Sequence, residues 1–214
     1  MSYLTIKDEV STEFQEKKSL FIGHAKRVYN EEEAKEFINK IKSVHSEATH
    51  NVYAYIIGEN MGIQRYTDDG EPQGTAGVPV LDVIKKNEVT NVAIVVTRYF
   101  GGILLGKGGL VRAYSKGAAQ AIKEAGVVER VKGAAFHIFI EYDLLGKVQY
   151  LCGQNQWHIE DTIYTDKVEI IILCTDEMIK AIEKEIVQVT GGKGNFKKDN
   201  EGYYFKIENR LFKE

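Results

Sequence analysis

The amino-acid sequence predicts an α+β fold in two domains, and three observations carry that prediction. Strand-like and helix-like patterns follow one another along all 214 residues, with two prolines and no low-complexity linker. One run, NVAIVVTRYF (91–100), is apolar almost throughout and belongs in the middle of a covered sheet. Past Gly126 the order becomes strand, helix, strand, strand, helix, strand, the ferredoxin-like βαββαβ order. The predicted domains are residues 1–128 and 129–214.

Tyr3, Leu4 and Ile6 open a weak first strand, and Ser19–Arg27 mixes Leu20, Ile22 and Ala25 with polar neighbours as a second. Asn30 is a good N-cap, and Glu33 three residues on completes a capping-box pattern. Ala34, Phe37, Ile38, Ile41 and Val44 then recur at helical spacing. Residues 50–58 read as a strand, with Ile63–Thr67 as its hairpin partner across Asn60–Gly62. TDDGEPQGTAGVP is a loop by composition, and a short helix through Val80, Leu81, Val83 and Ile84 follows it. The strand at 91–100 ends in GGILLGKGG, and a helix runs from about Leu110 to Ala125. In the second domain the expected elements are a strand to Tyr142, a helix at 143–154, strands at 156–164 and 167–174, a helix at 176–190 and a strand at 202–208. Asp143 and Asp176 stand where N-caps belong, and Gly191–Gly192 where a C-cap belongs.

A 43% hydrophobic content supplies a sizeable core, and a formal net charge of −3 excludes a globally basic nucleic-acid binder. Residues 1–127 carry 16 basic against 16 acidic side chains and the remainder 12 against 15, so any RNA contact must come from a local patch. Two cysteines in apolar segments, Cys152 and Cys174, point to reduced thiols and a cytoplasmic location. No signal-peptide h-region and no membrane span is read, and no membrane partner is expected.

Two segments could carry chemistry. Asp68, Asp69 and Glu71 place three carboxylates within four residues, a set that could hold Mg²⁺ or simply make a tight turn. The run Gly74-Thr75-Ala76-Gly77 then enters a helix, where free backbone N–H groups could cradle an anion; Thr75 could equally be an N-cap. The second segment, Arg98-Tyr99-Phe100-Gly101-Gly102 through Lys107, joins a buried strand to a helix. It is not a Walker A loop, because Gly108 follows Lys107 where Ser or Thr would be needed, nor a dinucleotide fingerprint, because no acidic residue stands in frame beyond it. Lys107, Arg112, Lys116 and Lys123 line the following helix as either a solvated face or a phosphate-tracking stripe. The histidines at 24, 45, 50, 137 and 158 complete no nucleophile or metalloprotease motif. Binding rather than catalysis is therefore expected.

The pattern GVPVLDVIKKNEVTNVAIVVTRYFGGILLG, with DDGEPQGTAG before it, resembles the YigZ/IMPACT family along the whole chain; the specific parts are Asp69-Gly70-Glu71-Pro72 and Arg98-Tyr99-Phe100-Gly101-Gly102. The resemblance implies an N-terminal domain like domain 2 of ribosomal protein S5, then a ferredoxin-like domain. Both resemble domains of elongation factor G, the C-terminal one its domain V. It implies RNA or the ribosome as partner, with a translation-regulatory protein as a further one. On this reading Gly74, Thr75, Arg98, Tyr99, Phe100, Gly101, Gly102, Lys107, Arg112 and Lys116 form one surface, with the cations on phosphates and Tyr99 or Phe100 as a stacking face. No cofactor is expected. Two rival readings are a hydrolase or phosphotransfer enzyme that uses Mg²⁺ on the Asp68/Asp69/Glu71 loop, and an adaptor docking a protein through its ferredoxin-like sheet.

Overall fold

The computed structural model describes residues 2–214 and divides into two compact units, one of Tyr3–Val128 and one of Ser2 with Glu129–Glu214. The first contains β1 (Tyr3–Ile6), β2 (Val10–Glu16), β3 (Ser19–Arg27), α1 (Glu31–Val44), β4 (His50–Ile57), β5 (Ile63–Thr67), α2 (Gly77–Lys86), β6 (Val92–Tyr99) and α3 (Lys107–Ala125). Five of its strands form an antiparallel sheet in the order β2-β3-β6-β4-β5.

The apolar run in β6 reflects its central position, where both faces are covered. Val92, Ile94 and Val96 pack in one core with Val80 and Ile84 of α2 and Leu110, Tyr114 and Ala118 of α3. Ala93 and Val95 face the other way, onto Phe37, Ile38 and Ile41 of α1. α3 lies close against the sheet: a Cβ on Gly23 would sit 2.5 Å from the Gly117 carbonyl oxygen. Asn30 caps α1 by accepting from the Glu33 N–H at 2.8 Å, while the Glu33 carboxylate reaches back to the Tyr29 N–H. β2 went unread in the sequence because VSTEFQE is an edge strand with mostly polar side chains; Val10 and Phe14 pack inward, Phe14 on Phe21 at 5.3 Å.

The second unit comprises most of β7 (Val127–Ile140), a 3₁₀ turn (Tyr142–Leu144), α4 (Leu145–Gln154), β8 (Asp161–Tyr164), β9 (Val168–Cys174), α5 (Asp176–Thr190), β10 (Asn195–Ile207) and β11 (Arg210–Lys213). Its antiparallel strands run β11-β10-β7-β9-β8. The expected order is present, with two additions: β10 begins seven residues earlier than 202, and β11 extends the sheet. Lys197, Lys198 and Asp199 hid the early part of β10, because a polar run carries no period-2 signal. The caps also differ. Thr175, not Asp176, caps α5, and Asp143 lies in the 3₁₀ turn while α4 has no side-chain cap. Gly191 ends α5 in the left-handed conformation at φ 62°, as its sequence position predicts.

Ile138, Ile170, Ile172, Ile182 and Ile186 form the second unit's core, with Cys152 and Cys174 buried among them. Burial pushes the two thiols up to about 11 and about 12. Among the described residues no helix is long and apolar enough to cross a membrane.

Candidate functional site

The two glycine-rich segments occupy neighbouring places in the first unit, each between a strand and a helix. Asp68 organises the first. Its Oδ1 accepts from the N–H groups of Ala76 (3.1 Å) and Gly77 (2.8 Å), and its Oδ2 from that of Gly74 (2.8 Å). The N-terminus of α2 is therefore already occupied by an anion from its own chain. This corrects the expectation that Gly74–Gly77 cradles an outside anion. Thr75 is buried and donates to the Pro72 carbonyl at 2.6 Å; the helix is capped by Asp68 from eight residues before its N-cap, Ala76.

The carboxylates that follow do not converge on a cation either. Asp69 accepts from the Asn51 N–H (2.7 Å) and from Lys42 (2.8 Å). Glu71 turns inward and accepts from Arg98 Nη1 at 2.6 Å and from the Tyr114 hydroxyl at 2.7 Å. Each of the three thus has a partner on a different element, and among the described residues no group of three His, Cys, Asp or Glu is placed to hold a metal ion. The Mg²⁺ reading of this loop loses its ligand set.

Arg98 is likewise not a surface phosphate contact. It is 5% exposed, sits between the rings of Phe21 and Phe100 at 5.5 and 5.3 Å, and is neutralised by Glu71. Its Nε is a buried donor without a partner. Burial and the Glu71 contact push the Tyr114 hydroxyl far above its ordinary range, so it stays a donor to the carboxylate. Tyr99 is half-buried, and its hydroxyl meets His45 Nδ1 at 3.0 Å. Gly101 is required by contact, since a Cβ there would lie 2.0 Å from the Lys18 carbonyl oxygen; Gly102, in contrast, has open space around it.

The second segment does leave something open. Gly106 precedes α3 at φ 72°, ψ 164°, and no side chain caps the helix. The first backbone bond of α3 is Leu110 N–H to the Gly106 carbonyl, so the amides of Lys107, Gly108 and Gly109 have no intrahelical acceptor. Beside them lies a cavity of about 430 Å³. Phe100, Leu104, Leu105 and Leu110 supply its apolar wall, His50 and Arg98 its polar floor, and Lys107 its rim. Phe100 and Leu104 are 44% and 81% exposed. His50 Nδ1 lies 2.7 Å from the Asp69 carbonyl, which can only accept, so Nδ1 carries a proton; the other ring nitrogen is Nε2. That Nε2 is 3.7 Å from Glu71 Oε1.

A second, smaller notch of about 230 Å³ lies between the β2–β3 hairpin and α3, lined by Glu16, Lys17, Arg112 and Lys116. Lys116 rides over the Phe14 ring at 4.3 Å. Among the described residues Lys107, Arg112 and Lys116 are exposed and form no ion pair. His50, at the start of β4, does lie against the Asp68–Asp69 loop, whereas the sequence offers Tyr114 only as part of a buried helix face and not as a site residue. A signal for Tyr114 existed: an arginine closing an apolar strand and a tyrosine in an apolar helix stripe both need a buried acceptor.

Architecture and motifs together define a two-domain α+β protein whose N-terminal domain matches the family described as "Impact N-terminal domain" over residues 17–122, and whose C-terminal part matches "Domain of unknown function (DUF1949)" over 138–193. The chain belongs to the IMPACT family, as a bacterial YigZ/YvyE-type member with both domains. It is 42% identical over 210 residues to "IMPACT family member YvyE" of Bacillus subtilis (strain 168), covering 98% of this chain and 97% of that one. It is 36% identical to "IMPACT family member YigZ" of Escherichia coli (strain K12), over 69% of this chain and 74% of the relative. The "Protein IMPACT homolog" of Dictyostelium discoideum is 44% identical over 94 residues, 42% of this chain and 27% of that protein. A solved structure titled "Crystal structure of an hypothetical protein" superposes with a TM-score of 0.60 at 29% identity, covering 91% of this chain and 96% of the other.

Proposed function

We propose that this protein binds RNA in the setting of translation and that it does so through the exposed cations of α3. One observation carries the reading: Arg112 and Lys116, a turn apart, line a notch with Lys17 and have no ion-pair partner, in a chain whose net charge is −3. Charges left unpaired on one face of an otherwise acidic protein are what phosphate contacts use. Lys107 extends the same cationic surface to the N-terminus of α3. The S5 domain 2-like and ferredoxin-like identities of the two domains belong to this proposal, since both fold types occur in ribosome-contacting proteins.

The test is anisotropy with labelled single-stranded RNA across a salt series, together with ribosome co-sedimentation. The Lys107→Ala/Arg112→Ala/Lys116→Ala protein is expected to bind less tightly and to lower the slope of log K against log salt by about 2, at about 0.7 per lost phosphate contact. Unchanged affinity and slope in the triple variant would sink the reading.

A further inference from the structure

The cavity beside α3 has features that phosphate tracking does not use. Phe100 and Leu104 present apolar surface to solvent at the mouth of a recess, and such exposed surface in a concave setting marks a ligand site. The floor is polar and fixed. Arg98, held by Glu71, lines the cavity together with that carboxylate, and His50 is held in place by its Nδ1 bond to the Asp69 carbonyl. Gly106 and Lys107 line one side, at the N-terminus of α3, where the helix dipole favours negative charge. An apolar flat body and an anion would each find a matching wall.

We infer that this cavity takes a single unstacked nucleotide, with its base against Phe100 and Leu104 and its phosphate at the N-terminus of α3. The edge of the base faces His50, and the phosphate meets Lys107 at the start of α3. A ribose linking the two spans wall and helix end. The inference rests on the RNA reading only for the source of the nucleotide. A free nucleotide and an unpaired position in an RNA offer the same chemistry. Where RNA is the source, the site selects single strands over duplex, because a paired base is not free to enter.

The experiment measures binding of a single-stranded oligoribonucleotide, the same sequence as a duplex, and a nucleoside monophosphate. The proteins are the wild type, Phe100→Ala, Leu104→Ala and the α3 triple variant. Leu104 is 81% exposed, so its variant keeps the test valid if Phe100→Ala disturbs folding. For the single strand, loss of base stacking is expected to weaken binding about tenfold in Phe100→Ala, less in Leu104→Ala, with the salt slope unchanged and duplex binding weak throughout. If only the monophosphate binds, and Phe100→Ala weakens it, the cavity assignment stands while the RNA reading falls. If the single strand binds as the duplex does, and neither cavity variant matters while the triple variant does, the cavity assignment falls and the RNA reading stands. No binding of any probe overturns both.

Discussion

The segments Asp68–Gly77 and Phe100–Gly106 look alike as sequence: each is rich in glycine, each follows a strand and each feeds a helix. They end in opposite states. The first brings its own anion, and the Asp68 carboxylate takes three N–H groups around the start of α2. The second brings none, and the N-cap of α3 is Gly106, a residue that has no side chain to offer. A helix N-terminus holds the same unsatisfied donors and partial positive charge wherever it occurs. What makes one structural and the other available is whether the preceding loop spends a carboxylate there.

Variants can break this contrast at several points. The largest effect is expected at Glu71, which ties the two segments together. Glu71→Ala leaves Arg98 charged, 5% exposed and without its partner, and should cost about 3–5 kcal/mol in urea unfolding. Little loss would mean that Arg98 finds water and that the segments are not braced by this pair.

Next comes acid titration, which separates the loops from the sheet behind them. His24, buried on β3 against His45, has its pKa pushed down to about 4 from 6.5, first by burial and then by His45. Between those two values the unfolded chain takes up a proton that the folded chain refuses. The contribution is full above pH 6.5 and is lost as pH falls toward about 4, on the order of 3 kcal/mol across the window. His24→Gln should flatten the stability profile there, leaving any remaining slope to the carboxylates. An unchanged profile in His24→Gln would assign the whole acid limb to other groups.

Asp68→Ala should cost about 1–2 kcal/mol, the usual price of losing a helix cap. Phosphate or sulfate should then stabilise the variant more than the wild type, because α2 would have gained an empty N-terminus. Equal stabilisation by salt in both proteins would show that the two helix starts do not differ as claimed.

The smallest stability change has the sharpest functional meaning. A Cβ on Gly108 has room, with Arg112 Nη1 its nearest neighbour at 3.6 Å. Gly108→Glu supplies α3 with a carboxylate near Arg112 and should stabilise the fold by about 1 kcal/mol. The same change should weaken RNA and nucleotide binding. Stabilisation with undiminished binding would place the ligand elsewhere.

Much of the architecture was legible because it rests on local rules. The apolar period of α1, its Asn30–Glu33 cap and the doubly covered β6 all follow from neighbours in sequence. β2 and the early part of β10 were not legible, since edge and polar strands gain their order from pairing partners far along the chain. Arg98 and Glu71 were each legible as noteworthy residues, but not as a buried pair. Glu71 meets Arg98 across 27 positions and Tyr114 across 43, and no spacing rule reaches that far. The expected surface counted Arg98 and Thr75 as accessible because composition cannot show which polar side chains already satisfy one another.

The buried cysteines have a practical consequence. With thiols pushed to about 11 and about 12, Cys152 and Cys174 hold almost no thiolate at neutral pH and sit out of reach of a probe. The wild-type chain is thus a silent background for maleimide chemistry. A cysteine introduced at Leu104 would be the sole labelled position, and a fluorophore there would report directly on whatever enters the recess beside α3.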